Sequence, residues 1–244
     1  MKRILVLFLC GFLLTACEEE KSINQLVVGT SADYPPFEFY QDGEVIGLEM
    51  DLMRKIVKEL QKELIVKDLP FESLIGALQT KRIDLVMAAM TPTPERLERA
   101  DFSIPYHHSY GVMLVAKDSP IKSIDDLAGK TVGVQLGSSH EKTVQTDWIP
   151  KIKDLKMRSL SKVPDLLQDF KAGRLDAIVM GSFEAFNIEK TAPYLKTIIL
   201  KGTESVSAIA FPKGSPLLEP VNKLLQKWTD DGTLAKLEER WIPR

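Results

Sequence analysis

Arg82-Ile-Asp-Leu-Val-Met87 and Arg174-Leu-Asp-Ala-Ile-Val-Met180 decide how this chain is read. Each follows a helix-like segment ending in basic residues or glycine, and each passes into an apolar run short enough for a buried strand. Read outward from the first copy, Leu26–Thr30 is a buried strand, and Leu48, Leu52, Ile56 and Leu60 recur every four residues on one helix face. Leu64–Leu69 is strand-like, Phe71–Lys81 helical with Leu74, Ile75 and Leu78 inward, and Asp84–Met90 a further strand. Around the second copy the order returns. Ser123–Leu127 is a helical turn, Thr131–Leu136 a strand, and Ser138–Thr146 a helix opened by a Ser138-x-x-Glu141 capping box. Pro164–Lys171 is helical and Leu175–Met180 a strand. One α/β unit used twice, with a largely parallel sheet in each half, is the expected fold.

The tail sets the topology. Ser205–Phe211 reads as a strand, and Pro216–Asp231 and Thr233–Trp241 as helices broken at Gly232. If the tail packs on the first half, the chain crosses between halves near Val112–Lys117 and again near Lys201–Val206. Lobe 1 is then expected over 26–112 and 205–244, and lobe 2 over 113–204. Two crossings make a hinge, and a hinge makes a cleft that can close.

Upstream, Lys2 and Arg3 precede an apolar run from Ile4 to Leu14, and Leu14-Thr15-Ala16-Cys17 ends it. A run of that length spans roughly 16 Å as a helix, about half a bilayer core, so it reads as a secretory signal and not a span. The Leu-x-Ala-Cys ending resembles the bacterial lipobox. Residues 1–16 are expected to be removed, Cys17 to be lipidated, and residues 17–25, with Glu18, Glu19 and Glu20, to form a tether. Cys10 leaves with the signal, so no disulfide is expected. Without Lys2 and Arg3, 30 basic side chains face 34 acidic ones, a net charge of −4. No basic patch for nucleic acid is present in the sequence.

Ligands of open α/β sheets sit beyond the carboxyl ends of the strands. Three loops fall there: Ser31-Ala-Asp-Tyr-Pro-Pro-Phe-Glu38, Ala88-Ala-Met-Thr-Pro-Thr-Pro-Glu-Arg96 and Gly137-Ser-Ser-His140. The two prolines of the first are expected to force an extended, exposed path. In the second, Ala89, Met90 and Thr91 lead to a helix near Pro94 whose amides favour an anion, and Arg96 adds a fork matched to a carboxylate. The alternative is that Arg96 pairs with Glu95, Glu98 or Glu49 at the surface. In the third loop, Ser139 sits at a second helix start. Gly129-Lys130-Thr131 lacks the earlier glycine of a phosphate loop, and no Gly-x-Ser-x-Gly elbow occurs. His107 and His108 point oppositely on an extended segment and His140 stands alone, so no metal site and no cofactor are expected.

These segments together resemble the periplasmic polar-amino-acid-binding family of ABC importers, which includes arginine-, lysine/arginine/ornithine-, histidine- and glutamine-binding proteins. The matching pieces are Tyr34-Pro-Pro-Phe-Glu-Phe39, Gly47-Leu-Glu-Met-Asp51, Phe71-Glu-Ser-Leu-Ile75, Thr91-Pro-Thr-Pro-Glu-Arg96, Phe102-Ser-Ile-Pro-Tyr106, Gly129-Lys-Thr-Val-Gly133 and Asp231-Gly-Thr-Leu234. The resemblance implies a two-lobed, type II periplasmic-binding-protein fold, a monomer, and an ABC permease as partner. It implies Tyr34 and Phe71 as aromatic walls, and Arg96 on an α-carboxylate with Thr91 and the backbone at Ala89. Ser139 would reach in from lobe 2, and Gln135 would line the side-chain pocket.

Two departures stand out. Ser31 and Gly181 occupy positions where many members carry an aspartate, and Glu184, Asp33 or Glu38 is expected to supply the missing acid. An amino acid, arginine or another basic one first, is the expected ligand. The rival reading is an enzyme on the same scaffold, a cyclohexadienyl or arogenate dehydratase with Glu184 or Asp33 as general acid, and a third is an amino-acid sensor.

Overall fold

The structure, a computed structural model, describes residues 24–242; the expected signal, Cys17 and the start of the tether lie outside the described residues. The chain begins with β1 (Gln25–Thr30), then a small antiparallel sheet of β2 (Asp33–Tyr34), β3 (Glu38–Gln41) and β4 (Glu44–Ile46). This sheet corrects the expected exposed loop: Phe37 and Glu38 are each only 1% exposed. Helix α1 (Leu48–Glu59) follows, burying Leu48, Leu52 and Ile56 on the face its period of four predicts. Then come β5 (Glu63–Asp68), a 3-10 turn at Phe71–Ser73, α2 (Leu74–Gln79), β6 (Leu85–Val86), α3 (Pro94–Arg99) and β7 (Asp101–Phe102).

The second half opens with the long strand β8 (His107–Ala116) and a capped 3-10 turn at Ile124–Leu127. It continues through β9 (Thr131–Gln135), α4 (Ser139–Thr143) with a π turn at Val144–Trp148, and β10 (Lys156–Leu160). Next are α5 (Val163–Lys171), β11 (Ala177–Gly181), α6 (Ser182–Thr191) and β12 (Leu195–Ser207). Strand β13 (Ala210–Phe211) and helices α7 (Leu218–Asp230) and α8 (Thr233–Trp241) return to the first half; Gly232, at φ 77°, makes the left-handed break between the helices.

Two five-stranded sheets result, ordered β5-β1-β6-β13-β7 and β10-β9-β11-β8-β12. In each, the first three strands are parallel and the next is antiparallel to them. The repeat seen in the sequence is the reason. Asp84 donates its amide to the Val27 carbonyl (2.7 Å) and accepts the Val27 amide on its carboxylate (2.8 Å). Asp176 does the same to Thr131, at 2.8 Å for both bonds. Gly29 and Gly133 hold matching places: a Cβ on Gly29 would overlap Ile83 and crowd Leu74, and one on Gly133 would overlap Leu175 and Leu166.

The chain leaves the first sheet at Phe102 and enters the second at His107; it leaves the second at Ser207 and re-enters the first at Ala210. Both crossings lie nearer the first sheet than the expected points, because β8 and β12 pair with each other along most of their length. The run read as one strand, Ser205–Phe211, is therefore two pieces in two sheets.

Candidate functional site

Ser31, Tyr34, Phe71, Ala89, Thr91, Arg96, Gln135, Ser139 and Glu184 line one cavity between the two sheets, at the carboxyl ends of β1, β6, β9 and β11. Two residues expected there are elsewhere. Met90 is 1% exposed and packs in the first lobe's core with Leu74 and Ala88. Asp33 accepts hydrogen bonds from the Ser31 hydroxyl and from the Val163 amide across the cleft (both 2.7 Å), with Lys162 at 3.9 Å. It bolts the lobes together and is not a free acid for a ligand. Further bonds cross the cleft from Ser161 to Glu72 (2.7 Å) and from Arg96 to the Gly137 carbonyl (2.8 Å).

Arg96 is placed by its own helix start. Thr93 caps α3 by accepting the Arg96 amide, and the side chain turns back so that Nη1 donates to the Thr91 carbonyl at 2.7 Å. Its guanidinium carbon lies 5.2 Å from the centre of the Phe71 ring, a cation–π distance. Surface pairing with Glu95, Glu98 or Glu49 is absent among the described residues: Glu95 faces Lys142 at 3.8 Å, and Glu49 is fully buried. Burial lowers the Arg96 pKa to about 10, which leaves it a cation at neutral pH without a carboxylate partner. That is an expensive arrangement unless an anion completes it. Nearby His140 is held neutral, its pKa lowered to about 4 by burial and then by the Arg96 charge.

Two further acids are buried here that local pattern does not reveal as such, Glu49 and Glu38. Glu49 accepts the Tyr106 hydroxyl (2.5 Å) and the Ala89 amide (2.7 Å) on one oxygen. The Ala89 backbone reaches that position by adopting φ 45°. This corrects the expectation that the Ala89 amide serves a ligand carboxylate, because Glu49 already holds it. Glu38 lines the cavity itself. Burial, then the neighbouring Glu49, raises its pKa well above the carboxylate range, so Glu38 is the protonated member of the pair. Its Oε2 has no partner among the described residues.

On the opposite wall, β11 ends at Gly181 and α6 turns Glu184 back over it. A Cβ on Gly181 would overlap the Glu184 carboxylate and sit 3.2 Å from the Tyr34 hydroxyl, to which the Gly181 amide donates at 3.2 Å. The glycine thus makes the room that the glutamate fills. Burial raises the Glu184 pKa to about 8, against the pull of its own amide and the Tyr34 hydroxyl, and Glu184 Oε2 has no partner among the described residues.

The second-lobe loop is tied from within. Ser138 caps α4 by accepting the Glu141 amide (3.1 Å), but Glu141 reaches back to the Gly137 amide (2.6 Å) and not to its capping partner. Gln135 donates weakly to the Ser161 carbonyl at 3.4 Å. Sequence reasoning passed over Phe37, His107, His140, Ser109, Ser205 and Ser207, which also line the cavity. The four from β8 and β12 come from strands whose full extent periodicity does not reveal. The cavity therefore offers one unpaired cation, aromatic faces and two enclosed carboxyl oxygens, a complement to a zwitterion with a donor-rich far end.

The family model for bacterial extracellular solute-binding proteins, family 3, matches residues 26–244. The arginine-binding extracellular protein ArtP of Bacillus subtilis is 38% identical over 99% of this chain and 98% of its own length. The L-cystine-binding protein TcyJ of Escherichia coli is 34% identical over 91% of this chain and 84% of its own. Among solved structures, an ancestral arginine-binding protein bound to arginine superposes with a TM-score of 0.84 at 38% identity, covering 90% of this chain and 98% of that one.

Proposed function

Because the chain belongs to the bacterial extracellular solute-binding proteins of family 3, we propose that it captures a polar amino acid, arginine first, by closing its lobes around it, and hands it to an ABC permease. The observation that carries this reading is the arrangement of unmatched polar groups: among the described residues, a half-buried Arg96 without a carboxylate on one side, and Glu184 and Glu38 with partnerless carboxyl oxygens on the others. In this reading Arg96 takes the α-carboxylate, with the Thr91 hydroxyl and Ser139 beside it. Glu184 takes the α-ammonium, in the space that a side chain at 181 would otherwise fill. Tyr34 and Phe71 flank the ligand's stem, Gln135 lines its pocket, and Glu38 is the acid nearest a cationic or N–H-rich end. Ser31 contributes a small wall, its hydroxyl already bonded to Asp33.

The relatives named as arginine-binding support arginine, and the one named as cystine-binding shows that identity near 35% does not fix the ligand. The ending Leu14-Thr15-Ala16-Cys17 supports export and a lipid tether at Cys17, which would hold the receptor domain outside the cytoplasm; that the domain acts as a monomer is proposed from the family resemblance alone. Titration calorimetry with each common amino acid tests the proposal. Arginine is expected to bind tightest, lysine, histidine and glutamine more weakly, and absence of heat with all of them refutes the reading. Turnover of prephenate or arogenate would replace binding by chemistry and make Glu184 a general acid.

A further inference from the structure

His107 lies where the chain enters the second sheet, and only 3% of it is exposed. Its ring is wedged edge-on between Phe37 and Phe183, at centroid distances of 4.9 and 4.7 Å. Nδ1 lies 2.7 Å from Oε1 of Glu238, which projects from α8. A carboxylate only accepts, so Nδ1 carries the proton. The other ring nitrogen, Nε2, is fully enclosed, has no partner among the described residues, and belongs to a side chain that lines the ligand cavity. A protonated Nε2 would place an unpaired donor of a buried cation there, which costs more than an unpaired lone pair.

We propose that His107 is a specificity-determining contact: its Nε2 lone pair, aimed by Glu238, accepts an N–H from the far end of the bound amino acid. The inference rests on the reading of the cavity as an amino-acid site. The Nε2 lone pair is an acceptor lining the cavity beside the Glu38 carboxyl, and an acceptor there favours guanidinium, ammonium or amide ends over carboxylate or alkyl ones. Glu238 is a positioning residue, touching only the histidine in this scheme. Its replacement by glutamine lets the carboxamide flip and donate to Nδ1, which moves the proton to Nε2 and turns the acceptor into a donor.

The test uses the full chain in titration calorimetry with arginine, together with nitrogen-15 NMR of the imidazole. In the ligand-free protein Nε2 is expected at the shift of an unprotonated nitrogen, moving towards that of a hydrogen-bonded one when arginine is added. His107→Leu is expected to weaken arginine binding about tenfold or more, the size of one buried hydrogen bond, and His107→Gln, which keeps an acceptor, to recover most of it. Glu238→Gln is expected to weaken binding with the NMR signals of Nδ1 and Nε2 exchanged. Thermal unfolding without ligand reports whether each variant is folded; if His107→Leu is not, the NMR shift and Glu238→Gln decide. Unchanged arginine affinity in folded His107→Leu, or a protonated Nε2 in the ligand-free protein, overturns the proposal and leaves His107 a packing residue. Absence of binding by the wild-type protein instead removes the functional reading itself, and this inference with it.

Discussion

Asp84 and Asp176 do the same work in the two sheets, while the loops beyond them do opposite work. In both halves an aspartate clamps the first strand, a strand glycine admits a branched side chain from the following segment, and the strand order repeats. Past the strand ends the likeness stops. The first lobe carries the half-buried Arg96 cation, the Glu38–Glu49 pair and the aromatic faces of Tyr34 and Phe71, whereas the second lines the cavity with one acid among the described residues, Glu184, above a glycine. Neither lobe alone can neutralise a zwitterion, so the full set of charge contacts exists only when the lobes meet. A ligand that needs both then stabilises closure by its preference for that state.

The sharpest way to break this division of labour is to remove the cation. Arg96→Ala is expected to weaken amino-acid binding several-hundred-fold or more, because the ligand carboxylate would be enclosed without a counter-charge, a loss of about 3–5 kcal/mol. Arg96→Lys is expected to fall between, since an ammonium cannot reproduce the two-pronged geometry. Calorimetric dissociation constants for the two variants give the ranking, and a near-normal value for alanine would move the carboxylate site elsewhere.

Glu184 tests the other half, with a smaller effect and a pH signature. Its pKa of about 8 lies above the ordinary carboxylate value, so between roughly pH 4.5 and 8 the folded protein holds a proton that the unfolded chain releases. Linkage then makes the ligand-free protein lose stability as pH rises through that window, while affinity for an ammonium, which needs the ionised acid, rises by up to about tenfold per pH unit and levels near pH 8. Glu184→Gln is expected to flatten both profiles and to weaken binding about thirtyfold at pH 8. Gly181→Asp combined with Glu184→Ala sharpens the point: it moves the acid onto residue 181 and is expected to restore part of the affinity. Gly181→Asp alone is expected to crowd two carboxyls into one space. A pH-independent affinity in the wild type would exclude Glu184 as the ammonium partner.

What could be read from the sequence divides along the same line as the lobes' likeness and difference. The frame was legible because Leu48, Leu52 and Ile56 keep a helical period, and because the Arg-x-Asp segments carry their own repeat. The small sheet after β1 was not, since Pro35-Pro36 reads as exposed chain and an acid such as Glu38 reads as surface; only the packing of Phe37 under it reverses both. The crossing points were displaced because β8 and β12 carry polar residues where they bridge the lobes, so their strand character comes from pairing with each other. His107 was set aside beside His108 for the alternation that in fact sends it inward.

The smallest effect tests the likeness itself. Asp84→Asn and Asp176→Asn each keep an oxygen to accept the strand amide but lose the charge that strengthens that bond, a cost of about 1 kcal/mol apiece. Asp176 also faces Lys130 at 3.1 Å, but both side chains are more than a third exposed, so that pair adds little. If the frame is truly used twice, the two variants lower stability by amounts equal to within about 0.5 kcal/mol, and the double variant by their sum, since the two sites share no partner. Urea unfolding followed by tryptophan fluorescence reads both, because Trp148 lies in the second core and Trp228 in the first. A marked inequality would show that one lobe depends on its clamp more than the other. The lobe with the weaker dependence would then have its first strand held chiefly by its packed face, the burial of Leu26 and Val28 against α1 or of Val132 and Val134 against the second core.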